Sequence, residues 1–197
     1  METNRLTRKD WLRAALRALT DGGVKALNPD RLATALGVSR GSFYWHFADV
    51  KAFHRAVLEE WEGLAVDGPL ERASIAGNYE AAASLQPLIQ NAFTAPQALE
   101  RAIFRWATSD AQADRAVKNV NSRRLRLLGE MFEATGGPRD AMRANARIAY
   151  SAYLGSILLD DGPPEQTMVD RLCELLDLRA TSPDDAPLPM RNKTARL

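Results

Sequence analysis

The sequence that decides the fold is Gly37-Val38-Ser39-Arg40-Gly41-Ser42-Phe43-Tyr44-Trp45-His46-Phe47. It follows a segment that begins with an asparagine suited to capping a helix and a proline suited to the first helical position. Gly37 suits the left-handed turn that ends a helix, and Ser39 can cap a second helix soon after. The spacing therefore predicts a helix-turn-helix with helices near 29–36 and 40–46, the second of which can enter a DNA major groove.

The second of these helices is predicted to show polar and aromatic side chains over most of its surface. Phe43 and Phe47 lie four residues apart, so one face can anchor the helix to a core. Arginine can bind a guanine edge, hydroxyl and imidazole groups can bind phosphates, and glycine lets the backbone approach a strand closely. A hairpin with every aromatic in its core would explain the phenylalanines, but not three large residues in succession, one of which must face water. We predict DNA contacts from Ser39, Arg40, Gly41, Ser42, Tyr44, Trp45 and His46.

The rest of the sequence is also typical of helices, and no strand pattern is evident. The first helix starts near Thr7 with a capping-box pattern and ends at Gly22-Gly23. The fourth, capped by Asp49, has an apolar stripe of Val50, Phe53, Val57, Trp61 and Leu64. Five more are predicted: from about Tyr79 to Phe93, where Pro87 should kink or shorten the helix, from Pro96, from Asp110 or Asp114 to Gly136, over about 139–159, and over about 165–178.

We therefore expect an all-α fold of about nine helices in three parts. Residues 1–50 form the helix-turn-helix domain, and 51–179 form a helical domain for ligand binding and dimerisation. Residues 180–197 are expected to be a disordered tail, because they contain three prolines and few large apolar side chains. Residues 68–80 show no clear pattern.

Composition excludes several classes of protein. The formal net charge of the 197 residues is +1, and residues 1–60 carry ten basic and seven acidic side chains, a mild positive bias. No apolar run approaches the ~20 residues of a membrane span. No secretory leader is visible, and Cys173 is the single cysteine, so we expect a cytoplasmic protein. His46, His54 and Cys173 form no close ligand set, so neither a metal nor another cofactor is expected. Adjacent acidic residues point ~100° apart on a helix, so no catalytic pair is evident.

The order of these features resembles the N-terminal DNA-binding domain of the tetracycline-repressor (TetR) family of bacterial transcription regulators, over about residues 6–58. The resemblance implies a homodimer that binds a palindromic operator in double-stranded DNA. It also implies a C-terminal domain whose small-molecule ligand lowers the affinity for DNA. One position departs from the family pattern: Val50 stands where the family usually has a lysine, and Lys51 follows it. Lys51 is rotated by ~100°, but its long stem can still reach the DNA backbone, so Lys51 joins the predicted contacts.

The eighth predicted helix is rich in small residues and is apolar nearly all round, so it must be covered on more than one side. The eighth and ninth helices can form a two-fold interface, or both can lie inside a monomeric bundle. The resemblance favours the interface. The candidate interface residues are Tyr153, Leu154, Ile157, Leu172 and Leu176.

The resemblance also favours a ligand pocket among the fifth to eighth helices. The candidate lining residues are Phe93, Phe104, Trp106, Met131 and Tyr150. The polar residues between Asn119 and Arg124 on the seventh helix are expected to form a solvated face. Two alternatives stay open: a DNA-binding regulator controlled by a protein partner or by its own concentration, which a fully packed C-terminal core would favour, and an enzyme, which would need a cluster of titratable groups in a cleft.

Overall fold

The computed structural model describes residues 6–66, 78–159, 165–176 and 178, and all of its regular structure in these ranges is helical. The predicted all-α fold is confirmed. The predictions for 180–197, and those for most of 68–80, lie outside the described residues. The helices are α1 (Arg8–Gly22), α2 (Pro29–Ala35), α3 (Arg40–His46), α4 (Val50–Val66), α5 (Asn78–Thr94), α6 (Ala98–Ala107), α7 (Ala111–Ala134), α8 (Arg139–Leu159) and α9 (Gln166–Leu175).

Local signals set most of the helix ends. Thr7 forms a capping box with Asp10 at the start of α1. At the start of α2, the Asn28 side chain accepts hydrogen bonds from the backbone N–H groups of Asp30 and Arg31 at 2.9 and 3.2 Å. Asp110 caps α7 in the same way. These caps satisfy N–H groups that have no partner within the helix, so the sequence can specify them locally.

Three details of the helices differ from the sequence prediction. A short 3₁₀ helix, Val24–Ala26, follows α1 and was not predicted. Pro87 does not shorten α5, which runs from Asn78 to Thr94. Val50 and Leu64, placed on the buried stripe of α4, are 39% and 61% exposed. The neighbouring helices cover the face of α4 that carries Phe53, Val57 and Trp61, and the apolar spacing alone does not show which members of the stripe they reach.

Four aromatic rings form the centre of the N-terminal core. Phe43 of α3 lies edge-on to Trp11 of α1 and to Phe53 of α4, with ring centroids 5.6 and 5.2 Å apart. Phe47 lies 4.9 Å from Phe53. All four side chains are almost fully buried, so α3 is held against α1 and α4 by one face.

This core continues beyond residue 50. Ile103 and Trp106 of α6, together with Val117 and Val120 of α7, belong to the same cluster of buried side chains. The predicted boundary between the domains therefore does not coincide with a gap in the packing. A second cluster, built by α5, α7, α8 and α9, includes Phe93, Met131, Phe132, Tyr150 and Cys173.

His54 lies where the N-terminal helices meet the bundle. Its ring packs edge-on against Trp106 of α6, with ring centroids 5.1 Å apart. Burial lowers the pKa of His54, and this effect is only partly opposed by a hydrogen bond with the Leu27 backbone and by the charge of Asp110. The junction therefore favours the neutral imidazole.

We predict that protonation of His54 destabilises the folded protein. Because the folded state binds this proton less tightly than the unfolded chain, stability is lost as the pH falls from the unfolded-state pKa of 6.5 through the lower pKa of the folded state. Urea unfolding of wild type and His54→Gln between about pH 7 and about pH 5 should show a smaller decline in the variant. His46→Gln is the control and should decline like wild type, since His54 is still present. Equal declines in wild type and His54→Gln would contradict the prediction.

Candidate nucleic-acid interface and ligand cavity

A tight turn sets the direction of α3 relative to α2. Gly37 has φ +68°, in the left-handed region that glycine adopts readily. The Gly37 and Val38 N–H groups donate to the carbonyl oxygens of Thr34 and Ala33 at 3.1 and 3.0 Å. Ser39 is extended, with φ −72° and ψ 152°, and α3 begins at the next residue. The turn and the aromatic core together fix which face of α3 is exposed.

The predicted DNA contacts on and before α3 lie at the protein surface. Trp45 is 79% exposed and Tyr44 is 50% exposed, whereas Phe43 between α3 and the core is fully buried. Ser39, Arg40 and Gly41 are also exposed, and Ser42 and His46 are partly exposed. The predicted contacts on and before α3 are therefore all at least partly exposed, and they include the large aromatic side chains of Tyr44 and Trp45.

Arg40 is already oriented by its neighbours. Its Nε lies 3.2 Å from a carboxylate oxygen of Asp30 on α2. A hydrogen bond with the Tyr44 side chain raises the pKa of Arg40, and the Asp30 charge raises it further. The guanidinium is thus drawn to the junction of α2 and α3, where it keeps donors available on its exposed side.

Gly41 is not required by the fold of the protein itself. A Cβ at this position would make only an ordinary contact, 3.7 Å from the Ser39 hydroxyl oxygen, and the residue does not have a positive φ. Glycine inside a helix costs about 1 kcal/mol relative to alanine. The absence of a side chain is therefore best explained by something that approaches α3 from outside.

Two cations flank this surface. Lys51 is exposed on the first turn of α4, which Asp49 caps by accepting a hydrogen bond from the Ala52 N–H. Arg8, which the sequence analysis missed, is exposed at the start of α1, and its guanidinium lies 5.4 Å from the centre of the Phe47 ring. A basic residue three positions before Trp11, the core aromatic of α1, was the available signal, but only the fold shows that it adjoins Phe47 at the end of α3.

A cavity of about 330 Å³ lies within the bundle. Phe93 and Tyr150, predicted to line a pocket, do line it. Met131 is buried in the C-terminal core, and Phe104 and Trp106 pack with the N-terminal core, so these three lie elsewhere. The lining residues are Leu64, Ala65, Leu88, Ile89, Asn91, Ala92, Phe93, Ala95, Pro96, Gln97, Glu100, Arg124, Leu128, Ala149, Tyr150 and Tyr153.

One wall of the cavity contains a buried ion pair. Arg124 of α7 is 8% exposed, and its Nη2 donates to Glu100 of α6 at 2.8 Å. Its Nε donates to the Ala65 carbonyl oxygen, on the last turn of α4, at 3.0 Å. The expectation of a solvated face is therefore wrong for Arg124, because α4 and α6 cover this part of α7 and Glu100 supplies the opposite charge.

Burial and charge set the protonation states on this wall. Burial alone would lower the pKa of Arg124, but the charge and hydrogen bond of Glu100, together with Tyr153 and Tyr150, outweigh it, so the pKa is raised and the side chain stays cationic. Burial raises the pKa of both Tyr150 and Tyr153 to about 12, against the opposing effect of Arg124. The Tyr150 hydroxyl donates to Asn121 at 2.8 Å. Both phenols are thus neutral hydrogen-bonding groups at ordinary pH.

The residues predicted for a dimer interface mostly face the interior of the protomer. Ile157 and Leu176 are buried, whereas Tyr153, Leu154 and Leu172 are partly buried against the C-terminal core, and Tyr153 also lines the cavity. The helical period alone could not tell which apolar face of α8 the protomer covers. The exposed large apolar residues of α8 and α9 are Ile148, Leu158, Leu159, Met168 and Leu175.

The described residues contain neither a candidate metal site nor a candidate membrane span. Among them, no group of three His, Cys, Asp or Glu side chains is placed to hold a metal ion. No helix in the described part of the chain has the length and apolar character needed to cross a membrane.

Comparison with known proteins gives a match to the N-terminal domain. Residues 12–56 match the family model of bacterial regulatory proteins of the tetR family. The Escherichia coli tetracycline repressor protein class C is 41% identical over 56 residues, which are 28% of this chain and 26% of that protein. The match thus spans about a quarter of the length of this curated relative.

Solved structures resemble a much larger part of the chain. A Mesorhizobium loti protein described as a TetR-family transcriptional regulator aligns with a TM-score of 0.65 at 18% identity, over 86% of this chain and 92% of that one. Salmonella enterica GusR aligns with a TM-score of 0.63 at 18% identity, over 88% and 97%. Reduced Escherichia coli NemR aligns with a TM-score of 0.58 at 20% identity, over 86% and 92%. At these identities the likeness concerns the fold alone.

We predict that the buried and the exposed ion pairs respond differently to loss of a carboxylate. Glu100→Gln leaves the Arg124 charge buried without its counter-charge, which should lower the free energy of unfolding by about 3 kcal/mol or more. The control is Glu133→Gln, which removes a partly exposed carboxylate paired with the exposed Arg139 and Arg143 and should change stability little. Urea unfolding of the two variants measures the difference. Similar losses in both would show that the Arg124 pair is not isolated from solvent.

Proposed function

We propose that the chain is a member of the tetR family of bacterial regulatory proteins, whose family model its residues 12–56 match, and that it regulates transcription by binding double-stranded DNA as a homodimer. The observation that carries this proposal is the two-sided character of α3. One face is locked into the aromatic core by Phe43, and the other presents Tyr44 and Trp45 to the outside. A short helix built in this way is suited to a DNA major groove.

The residues of α3 have distinct roles in this proposal. Arg40, held by Asp30 and Tyr44, is the candidate for direct contact with a base, because a guanidinium matches the acceptors of a guanine edge. The Tyr44 hydroxyl, Lys51 and Arg8 are candidates for phosphate contacts, which position a protein without reading sequence. Gly41 lets the helix backbone approach the duplex closely.

We predict that Arg40→Ala and Tyr44→Phe weaken DNA binding in different ways. Loss of Arg40 should reduce the affinity for the preferred operator roughly tenfold or more per half-site and relax the sequence preference. Loss of the Tyr44 hydroxyl should weaken binding to all sequences about equally. The measurement is operator selection from random DNA with the wild-type protein, followed by titration of selected and scrambled duplexes.

The control for charge is Arg171→Ala, which removes an exposed arginine of α9 that pairs with Glu174, and it should leave DNA affinity unchanged. A selection that recovers no symmetric sequence would count against a dimer reading two half-sites, which should lie ~34–36 Å apart or somewhat further in an open dimer. Unchanged affinity and preference in Arg40→Ala would remove Arg40 from the interface.

The proposed dimer interface is formed by the exposed apolar face of α8 and α9. On α8, Ile148, Gly155 and Leu159 recur at helical spacing, and the position of a Gly155 Cβ has no neighbour within 4 Å in the described chain. On α9, Met168 and Leu175 are exposed one above the other. Large exposed apolar side chains on consecutive helices are typical of a surface that another protein covers. A second copy of the chain would cover them in a four-helix arrangement.

We predict that Leu159→Glu and Leu175→Glu convert the dimer to a folded monomer with lower operator affinity. Each places a carboxylate in an apolar interface, and a monomer loses the linked second contact with DNA. Leu64→Glu changes a similarly exposed leucine outside this face and should remain dimeric. Ile157→Glu should instead unfold the protomer, because Ile157 is 1% exposed. Sedimentation and circular dichroism distinguish these outcomes, and dimeric Leu159→Glu and Leu175→Glu proteins would place the interface elsewhere.

We further propose that a small molecule in the cavity releases the protein from its operator, so that the protein acts as a repressor. Arg124 touches both the cavity and the last turn of α4 through the Ala65 carbonyl. Near its other end, α4 carries Phe53, which packs on Phe43 of α3. A ligand that draws Arg124 away from Ala65 would therefore shift α4 and the reading helix with it. A bundle that retains a cavity supports this proposal over a regulator without a small-molecule ligand.

A further inference from the structure

The polar wall of the cavity has more hydrogen-bonding capacity than the protein uses. Arg124 Nη1, Glu100 Oε2 and Gln97 Oε1 are buried atoms with no hydrogen-bond partner among the described residues. All three side chains line the cavity. The other atoms of these groups are engaged, because Arg124 and Glu100 bind each other and Gln97 Nε2 donates to the Ser156 hydroxyl oxygen at 3.2 Å. The wall thus offers one donor and two acceptors in a fixed arrangement.

Buried polar atoms are almost always paired, so such a cluster in a cavity wall indicates a missing partner. We propose that the ligand is a small, uncharged, mainly apolar molecule whose single polar end presents a hydrogen-bond donor beside an acceptor, as a primary carboxamide does. The ligand acceptor takes a bond from Arg124, and the ligand donor serves Glu100 and Gln97. This inference rests on the proposed ligand control and names the chemical class of the ligand.

The charge of the wall argues for a neutral ligand. The cationic Arg124 is neutralised by Glu100 at 2.8 Å, so the pair has no net charge to offer. A carboxylate would meet the Glu100 charge and would leave both free acceptors unpaired. A cation would serve those acceptors but would stand against Arg124. Either ion would also lose its hydration on entering a mostly apolar cavity without gaining a counter-charge.

The remaining wall sets the shape and size of the ligand. Tyr150 and Tyr153 are stacked with ring centroids 6.0 Å apart, and Phe93 lies edge-on to Tyr153 at 5.9 Å. Leu88 and Leu128 are among the aliphatic side chains that complete the lining. A cavity of about 330 Å³ is at the small end of ligand pockets. An aromatic ring that carries one polar group fits both the volume and the apolar wall.

The test uses three probes of the same shape that differ in charge: benzamide, benzoate and the benzamidinium cation. Calorimetric titration of the full-length protein without DNA should give the tightest binding for benzamide, by at least about tenfold over either ion. The tyrosine and phenylalanine signals in NMR spectra should move on addition of benzamide, which locates the probe. Tighter binding of either ion, or no benzamide binding up to its solubility limit, would overturn the inference.

A charge exchange in the wall provides a second measurement. Gln97→Glu adds a carboxylate beside the cavity, so it should weaken benzamide binding and make benzamidinium the preferred probe. Gln112→Glu, on the first turn of α7 and not part of the lining, is the matched control and should keep the wild-type order of affinities. An unchanged order in Gln97→Glu would show that Gln97 does not face the bound probe.

Two outcomes distinguish an error in the proposed ligand class from an error in the proposed ligand control of DNA binding. If benzamide binds best but operator affinity is the same with and without it, the ligand class stands and the proposed release of DNA is wrong. If an ion binds best and lowers operator affinity, ligand control stands and the proposed ligand class is wrong.

Discussion

The packing of four aromatic rings is the constraint on which the exposed surface of α3 depends. Trp11, Phe43, Phe47 and Phe53 come from α1, α3 and α4, and their edge-on contacts fix the rotation of α3 about its own axis. A helix of only two turns is too short to be stable alone, so its position is set by this contact and by the turn at Gly37. Once one face is buried, Trp45 has no position except the surface.

The Arg124–Glu100 pair has a comparable place in the bundle. A buried ion pair is weak evidence for stability, because the loss of hydration offsets much of the attraction. Here the pair also joins three helices, since Arg124 donates to the last turn of α4 while it bonds α6 from α7. The same side chains line a cavity and retain unused hydrogen-bonding atoms. The structure thus concentrates polar chemistry where the proposed ligand would alter contacts made by the helix that supports α3.

Similarity to known proteins differs between the N-terminal domain and the rest of the chain. Identity to a curated relative reaches 41% but is confined to 56 residues, whereas solved structures follow most of the chain at about 18% identity. The proposed contact with DNA would need particular side chains at fixed spacing. A helical bundle needs only apolar faces that pack, and many sequences meet that requirement. The chemistry of the cavity is therefore a property of this chain and has to be read from its own residues.

The sequence by itself determined the helices of the N-terminal domain and the surface residues of α3, because caps, turns and the spacing of Phe43 and Phe47 act over a few residues. It did not determine the surroundings of the later helices. Ile157 and Leu159 are two positions apart and equally apolar, yet one lies in the protomer core and the other is exposed. Arg124 stands in a polar run but is buried against Glu100. A helical period defines which residues share a face, but the tertiary structure decides what covers that face, because the covering helices come from distant parts of the chain.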